Sequence, residues 1–441
     1  MVASGARPPL MDLDEALAQL LEKAAPTLAS ESVSTFDADG RVLAQDVVSA
    51  LTVPPRDNSS MDGYAVRVAD CVAPGTVLEV AQRIPAGSVG VPLVAGAAAR
   101  IFTGAQIPEG ADAVVMQEDA SALDDGKRVR IELVPASGQW IRRAGEDVSR
   151  GDVVLARGER LTPAGLGLAA SVGFDRLQVA RRPRVALLST GDELAMPGEV
   201  APEAMKPGAI YNSNRFFMRA LLHRLGCEVH DLGIVPDHRE ATIDALRRAA
   251  EGNDLIITTG GVSVGEEDHI KAAVQALGEL QLWSLSMKPG KPFAYGSIAK
   301  QSSRRFAEHG TPTPALPRQA GEGAGSADHC HVCGLPGNPV SSFLTFLLLV
   351  RPFLLTLQGA TRVAPRPVAM RADFDWPRAD RRREFLRARC NAAGGLDVFG
   401  NQSSGVLSST VWGDGVIDTP AGQPFKAGDM VQFISFASLL A

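Results

Sequence analysis

Four short stretches carry residues whose types and spacing suit chemistry on an anion. In "TTGGVSVGEED" (258–268), Gly260, Gly261 and Gly265 let backbone N–H groups approach an anion, and Ser263 adds a hydroxyl. Glu266, Glu267 and Asp268 follow at once and would favour a hard cation beside that anion. In "MKPGKP" (287–292), Lys288 and Lys291 flank a stiff Pro-Gly turn, as binding of an oxyanion requires. "GLPGNPVSS" (334–342) ends a strand and starts a helix, with Asn338 expected as its N-cap and Pro339 in its first turn. The dipole of that helix then points at whatever lies over Gly337.

Two showier patterns weigh less. His329-Cys330-His331-Val332-Cys333 resembles half of a zinc site, but no second ligand pair exists, because Cys71, Cys227 and Cys390 stand alone. Its alternation fits a strand instead, and chelation is expected to leave the fold unchanged. "GVSVG" (261–265) fits the serine-hydrolase elbow, but no acid and histidine follow at suitable positions. An anion-binding turn is the better physical account.

The elements that must position these loops can be read from periodicity. Leu13, Leu17, Leu20 and Leu21 share one helical face. From about 40 to 140, short Val-rich runs alternate with Gly and Pro turns, as expected of a β-rich unit, and 145–173 returns to turn, strand and helix. From 183 onward, apolar strands alternate with amphipathic helices ("RVALLST", "NRFFMRALLHRL", "EVHDLGIV", "HREATIDALRRAAE", "DLIITTGG"), implying a doubly wound parallel sheet. Ligands in such sheets bind at the carboxyl ends of the strands, where "STGDEL", "VPDH" and "TTGGVSVGEED" sit. Residues 299–328, rich in Pro, Gly, Ser and charge without periodicity, read as a disordered surface excursion. The expected fold class is therefore multidomain α/β plus β. It has a split first unit (10–45 and 145–180), an inserted β-rich unit (46–144), the wound domain (181–358) and a C-terminal β domain (359–441).

Composition bounds the function. The 441 residues exceed one hydrophobic core, and 45% hydrophobic against 21% charged residues is ordinary for a globular chain. A net charge of −6 argues against a nucleic-acid surface, which shows a basic excess. Five scattered cysteines fit a reducing compartment. No signal sequence opens the chain, and the apolar run Phe343 to Val350 is too short to span a bilayer, so a cytoplasmic protein with no membrane partner is expected.

Together these strings resemble the molybdopterin molybdenumtransferase family (MoeA, with the related gephyrin and plant Cnx1 E-domains). The resemblance rests on "DNSSMDGYAVR", "RIFTGAQIPEGADAVVMQE", "GEDV", "LLSTGDEL", "IYNSN", "TTGGVSVGEEDHIK", "MKPGKPFAYG", "GLPGNPVSSFLTF" and "SSGVLSS", in the family's order over nearly the whole chain. It implies a wound domain like that of MoaB and MogA, and a reaction in which adenylylated molybdopterin and molybdate give molybdenum cofactor and AMP with magnesium.

The resemblance also implies roles. Asp268, Glu193 and Asp237 would hold or orient the metal and the adenylylated phosphates. Gly260, Gly261, Ser263 and Gly265 would cradle phosphate. Lys288, Lys291 and the loop Pro336, Gly337, Asn338, Pro339 and Ser341 would face the pterin phosphate or molybdate. Asp62, Thr103 and Asp147 would lie near the same cleft, Asp62 and Thr103 coming from the partner subunit of an elongated homodimer. Arg383 or Arg387, with Ser404, would complete the molybdate site. Implied protein partners are a molybdopterin adenylyltransferase and molybdoenzymes. Two alternatives stay open: a non-catalytic molybdopterin-binding scaffold, and a molybdopterin adenylyltransferase, whose chain is one domain long. The excursion at 299–328 departs from the family pattern, and a flap over the cleft would slow substrate entry.

Overall fold

The computed structural model describes residues 10–24, 26, 28–236, 238–261, 269–300 and 329–440. At its centre is a six-stranded sheet ordered Glu228–Val235, Arg184–Thr190, Leu255–Thr259, His329–Leu335, Pro292–Ala299 and Gly278–Ser284. Its first four strands are mutually parallel. Strand Pro292–Ala299 runs antiparallel to both neighbours, so the sheet departs from the all-parallel expectation in that strand. The reason is connectivity: a short connection, 285–291, leads into it from Gly278–Ser284, whereas parallel neighbours would need a crossover of a dozen or more residues.

Continuous apolar runs follow from burial of both faces. Val185 and Leu187 point into one core with helices Leu13–Lys23 and Ser213–Arg224, while Ala186, Leu188 and Ile256 point into another with helices Arg239–Gly252 and His269–Leu277. His329–Leu335 obeys the same alternation. Cys330 joins the second core and Cys333 the first, so the two thiols lie on opposite faces of a sheet and cannot share an ion. Burial pushes the Cys330 thiol up to about 12 and raises that of Cys333 further.

Residues 301–328, which hold most of the expected excursion, lie outside the described residues. The strands on either side pair in register, Ala299 against His329. Beyond Leu335 the run from Pro339 to Leu357 is one helical segment of 19 residues with a π-turn stretch at Phe346–Val350. It is longer than the apolar run Phe343 to Val350 and is long and apolar enough to cross a membrane, but 89% of its apolar window is buried inside the protein.

In the N-terminal part, Ser30–Ser34 pairs with Arg176–Ala180 and Val47–Val48 with Val153–Leu155, tying segments that flank a six-stranded β unit. The C-terminal part is a third six-stranded sheet around Arg383–Cys390. Met287–Lys288 adds to that sheet, pairing parallel with Arg383 and Glu384, so the lysine turn of the wound domain is fastened to the C-terminal domain.

Candidate active site

A cleft of about 820 Å³ opens where strands Arg184–Thr190, Leu255–Thr259 and His329–Leu335 end. Its walls are Thr190, Gly191 and Glu193 after the first strand, Thr259, Gly260 and Gly261 after the second, and Pro336 to Pro339 with Ser341 after the third. Tyr211 to Asn214 and Gly405 close its sides. Parallel strands bring their carboxyl ends to one edge, which is why loops far apart in sequence meet there.

Two glycines are required by backbone shape. Gly260 and Gly261 have φ of +93° and +68°, and a Cβ on Gly261 would stand 2.7 Å from Ile270 Cγ1. The Gly260 N–H is held by the Leu335 carbonyl at 3.1 Å, which ties the second loop to the third strand. The third loop is fixed from the side: Asn214 Nδ2 donates to the Gly337 carbonyl at 2.7 Å. Asn338 occupies the expected N-cap position, but its side chain makes no capping bond. The backbone of the C-terminal domain caps instead, because the Val340 N–H donates to the Ser404 carbonyl at 3.0 Å. Ser404 thus holds the helix starting at Pro339 through its main chain, and its neighbour Gly405 is in the lining of the cleft.

Of the other expected residues, Glu193 lies in the cleft with an exposed carboxylate. A Cβ on Gly191 would stand 2.5 Å from that carboxylate, so glycine there makes room for a hard oxygen donor. Ser263, Gly265, Asp268 and Asp237 lie outside the described residues. Among the described residues no three His, Cys, Asp or Glu side chains gather as a ready-made metal cage.

Lys288 and Lys291 separate. The Lys288 ammonium binds Glu384 Oε1 at 3.0 Å and Asp380 Oδ2 at 3.3 Å. Burial works to lower its pKa, but the bonds to Glu384 and Asp380 outweigh burial and hold it above the ordinary value. Lys291 is exposed, and the next residue, Pro292, lines the cleft.

Arg383 is engaged elsewhere: Nε and Nη2 grip Asp418 at 2.7 and 2.6 Å, and Nη1 reaches Asp14 at 2.9 Å. The hydrogen bonds to Asp418 keep its pKa raised against the opposing effect of burial. Arg387 is buried, donating to Ser409 Oγ and to the carbonyls of Phe385 and Ser403. Neither arginine lines the cleft.

Asp62 and Thr103 form a pair of their own on the N-terminal β unit. The Thr103 N–H and hydroxyl both donate to Asp62 Oδ1 at 2.8 Å and hold that carboxyl below its usual range. Asp147 is exposed, its N–H bound to the Val53 carbonyl. None of these three is in the cleft lining of the same chain.

Asn212 and Asn214 join the cleft without a role expected from the sequence. Asn212, in the cleft lining and 2% exposed, caps helix Ser213–Arg224 by accepting from the Arg215 N–H at 3.2 Å, and its buried Nδ2 has no partner among the described residues. The signal was present in "YNSN", where a strand ends on an N-cap asparagine.

Residues 11–173 match the model of the MoeA N-terminal region (domain I and II), 186–356 that of a probable molybdopterin binding domain, and 369–436 that of the MoeA C-terminal region (domain IV). A molybdopterin molybdenumtransferase of Haemophilus influenzae is 38% identical over 408 residues, covering 91% of this chain and 92% of that protein. Another from a Nostoc species is 32% identical over 429 residues, covering 95% and 91%. The crystal structure of the molybdopterin biosynthesis moeA protein from Pyrococcus horikoshii OT3 is similar with a TM-score of 0.76 at 27% identity, covering 97% of this chain and 100% of that one.

Proposed function

The chain belongs to the MoeA family of molybdopterin molybdenumtransferases, and from that membership we infer that it inserts molybdate into adenylylated molybdopterin, releasing AMP, in the cleft over Gly260, Gly261 and Gly337. It works in molybdenum-cofactor biosynthesis. The observation that carries the site is the convergence of three glycine-containing loops on one sheet edge beside helix Ser213–Arg224 and the helix starting at Pro339. Backbone N–H groups and helix N-termini suit phosphate and molybdate oxygens on a protein that is acidic overall.

Splitting the link between pterin and AMP asks the protein for charge neutralisation and alignment more than for a nucleophile. Gly261 offers the main-chain approach while the Gly260 N–H is committed to the Leu335 carbonyl, and the Asn214 bond to Gly337 keeps the facing loop in place. A magnesium ion, when bound, would neutralise the phosphate oxygens, and such an ion needs one or two carboxylates beside its substrate ligands. Glu193 is the donor for it in the described cleft, joined in our assignment by Asp237 and Asp268. Lys291, exposed and without an ion pair among the described residues, is assigned to face the incoming oxyanion, whereas Lys288 is held in the Glu384–Asp380 cluster. Ser341 lines the cleft, and Ser263, Gly265 and Ser404 are assigned to the same site. Asp62 and Thr103, outside the cleft lining of their own chain, are assigned to the cleft of a second copy in a homodimer, and Asp147 is assigned to the same edge. Burial of the Pro339–Leu357 helix and five free cysteines support a cytoplasmic site of action.

The experiment is direct: supply adenylylated molybdopterin, molybdate and magnesium, and measure AMP together with activation of a cofactor-free molybdoenzyme. Metal-dependent AMP release is expected; its absence would overturn the assignment. Asp62→Asn should cut turnover with the fold intact, and an unchanged rate would remove Asp62 from the mechanism.

A further inference from the structure

A second cavity, of about 800 Å³, shares no lining residue with the cleft. It lies where the N-terminal domain, the end of the helix finishing at Leu357 and the C-terminal helix Phe436–Leu440 meet. Four arginines line it (Arg160, Arg351, Arg362 and Arg366) against two acids, Asp39 and Glu159.

Arg351 is the informative one. It is 7% exposed, yet among the described residues its only hydrogen bond runs from Nη1 to the Val363 carbonyl at 3.0 Å. Its Nε is buried without a partner, and no carboxylate lies within ion-pair reach of it in the described structure. A guanidinium cannot escape burial by losing its proton, so a buried arginine normally has a counter-charge. Here the nearby charge has the same sign: burial, and then Arg160, depress Arg351 to about 10. The Arg160 guanidinium donates to the carbonyls of Gly40 and Arg224 at 3.1 Å.

The remaining wall suits an anion too. Thr162, in the lining, is the N-cap of helix Pro163–Ser171, whose first turn faces the same space. Leu155, Leu161 and Leu355 form an apolar floor, and the volume exceeds what a bare ion would fill. We propose that this cavity is a second anion site, which takes a phosphate group through Arg351, Arg362 and Arg366 and joins the three domains that frame it.

The test uses the full chain. Inorganic phosphate and AMP are titrated separately by calorimetry, with chloride at matched ionic strength as control, on the native protein, on Arg351→Gln and on the Arg362→Gln/Arg366→Gln double variant. The native chain should show a binding event beyond that of the cleft, weakened by about tenfold or more in the double variant while AMP release in the molybdate assay persists. AMP binding more tightly than phosphate at that event would identify a phosphorylated organic ligand, and equal affinities inorganic phosphate. Should Arg351→Gln fail to fold, the double variant with its two exposed arginines still decides. Identical stoichiometry and affinity in the native chain and the double variant would overturn the proposal.

Discussion

Ala299 and His329 face each other across adjacent antiparallel strands, at the end of the central sheet opposite the cleft. Strand His329–Leu335 runs from that pair to the cleft edge at Pro336, a span of roughly 20 Å at the usual rise of a strand. Ala299 and His329, the paired residues on either side of 300–328, therefore lie far from the loop that follows Leu335. Adjacency along the chain raised the prospect of a flap beside the loop after Leu335; strand His329–Leu335 separates the described flanking residues from that loop. Replacing 301–328 with a short Gly-containing turn should leave the rate of AMP release within about twofold of native, because closing two already paired strands demands little else. A large loss in steady-state assays would show that the segment reaches the cleft.

His331 should make stability depend on pH. It is buried, its Nδ1 lies 2.8 Å from the Tyr295 hydroxyl, and burial depresses its pKa to about 4 from an ordinary 6.5. A folded-state pKa below the unfolded one means that the folded chain binds fewer protons, so stability rises with pH. The contribution is complete above pH 6.5 and is lost as pH falls toward 4, amounting to about 3 kcal/mol. Urea midpoints at pH 7 and pH 4.5 check this: the native drop should shrink in His331→Phe, and equal drops would rule out His331 as the source.

The two lysines of "MKPGKP" should respond differently to alanine. Glu384 is 1% exposed and binds Lys288, the Trp376 indole N–H and the Asp380 N–H. Removing Lys288 leaves that buried carboxylate without its cation, so Lys288→Ala should cost about 2 kcal/mol or more of unfolding free energy. Lys291 is exposed, and Lys291→Ala should change stability by less than about 0.5 kcal/mol while lowering turnover. Denaturant melts paired with AMP-release kinetics separate the two effects.

Asn214 holds the "GLPGNP" loop through the Gly337 carbonyl. Asn214→Ala should reduce turnover by about tenfold by loosening that loop. Asn214→Asp should do worse, since a carboxylate placed against a carbonyl oxygen repels where the amide donated. Equal rates for the native chain and both variants would assign Asn214 to packing alone.

The wound domain and its ligand edge were legible in the sequence because they rest on local rules. Apolar runs such as "RVALLST" and "DLIITTGG" name buried strands, and glycines at their carboxyl ends name the turns. The same rule exposed "HCHVC" as strand, since a period of two sends Cys330 and Cys333 to opposite faces. Motif order across the whole chain carried the family.

Partnership between distant charges was not legible. Arg383 read as a candidate for the oxyanion, yet Asp418 and Asp14 hold it. Lys288 read as a free cation, yet its strand pairs beside Glu384 in another domain. Ser404 entered through a carbonyl that no side-chain pattern reveals. Strand Pro292–Ala299 took an antiparallel place in a sheet whose other members read as parallel. Periodicity reports which face of an element is buried, but it says nothing about which element lies opposite. Charge pairing acts over a few ångströms and depends on that neighbour, so only the tertiary structure decided which polar groups were left to meet a substrate.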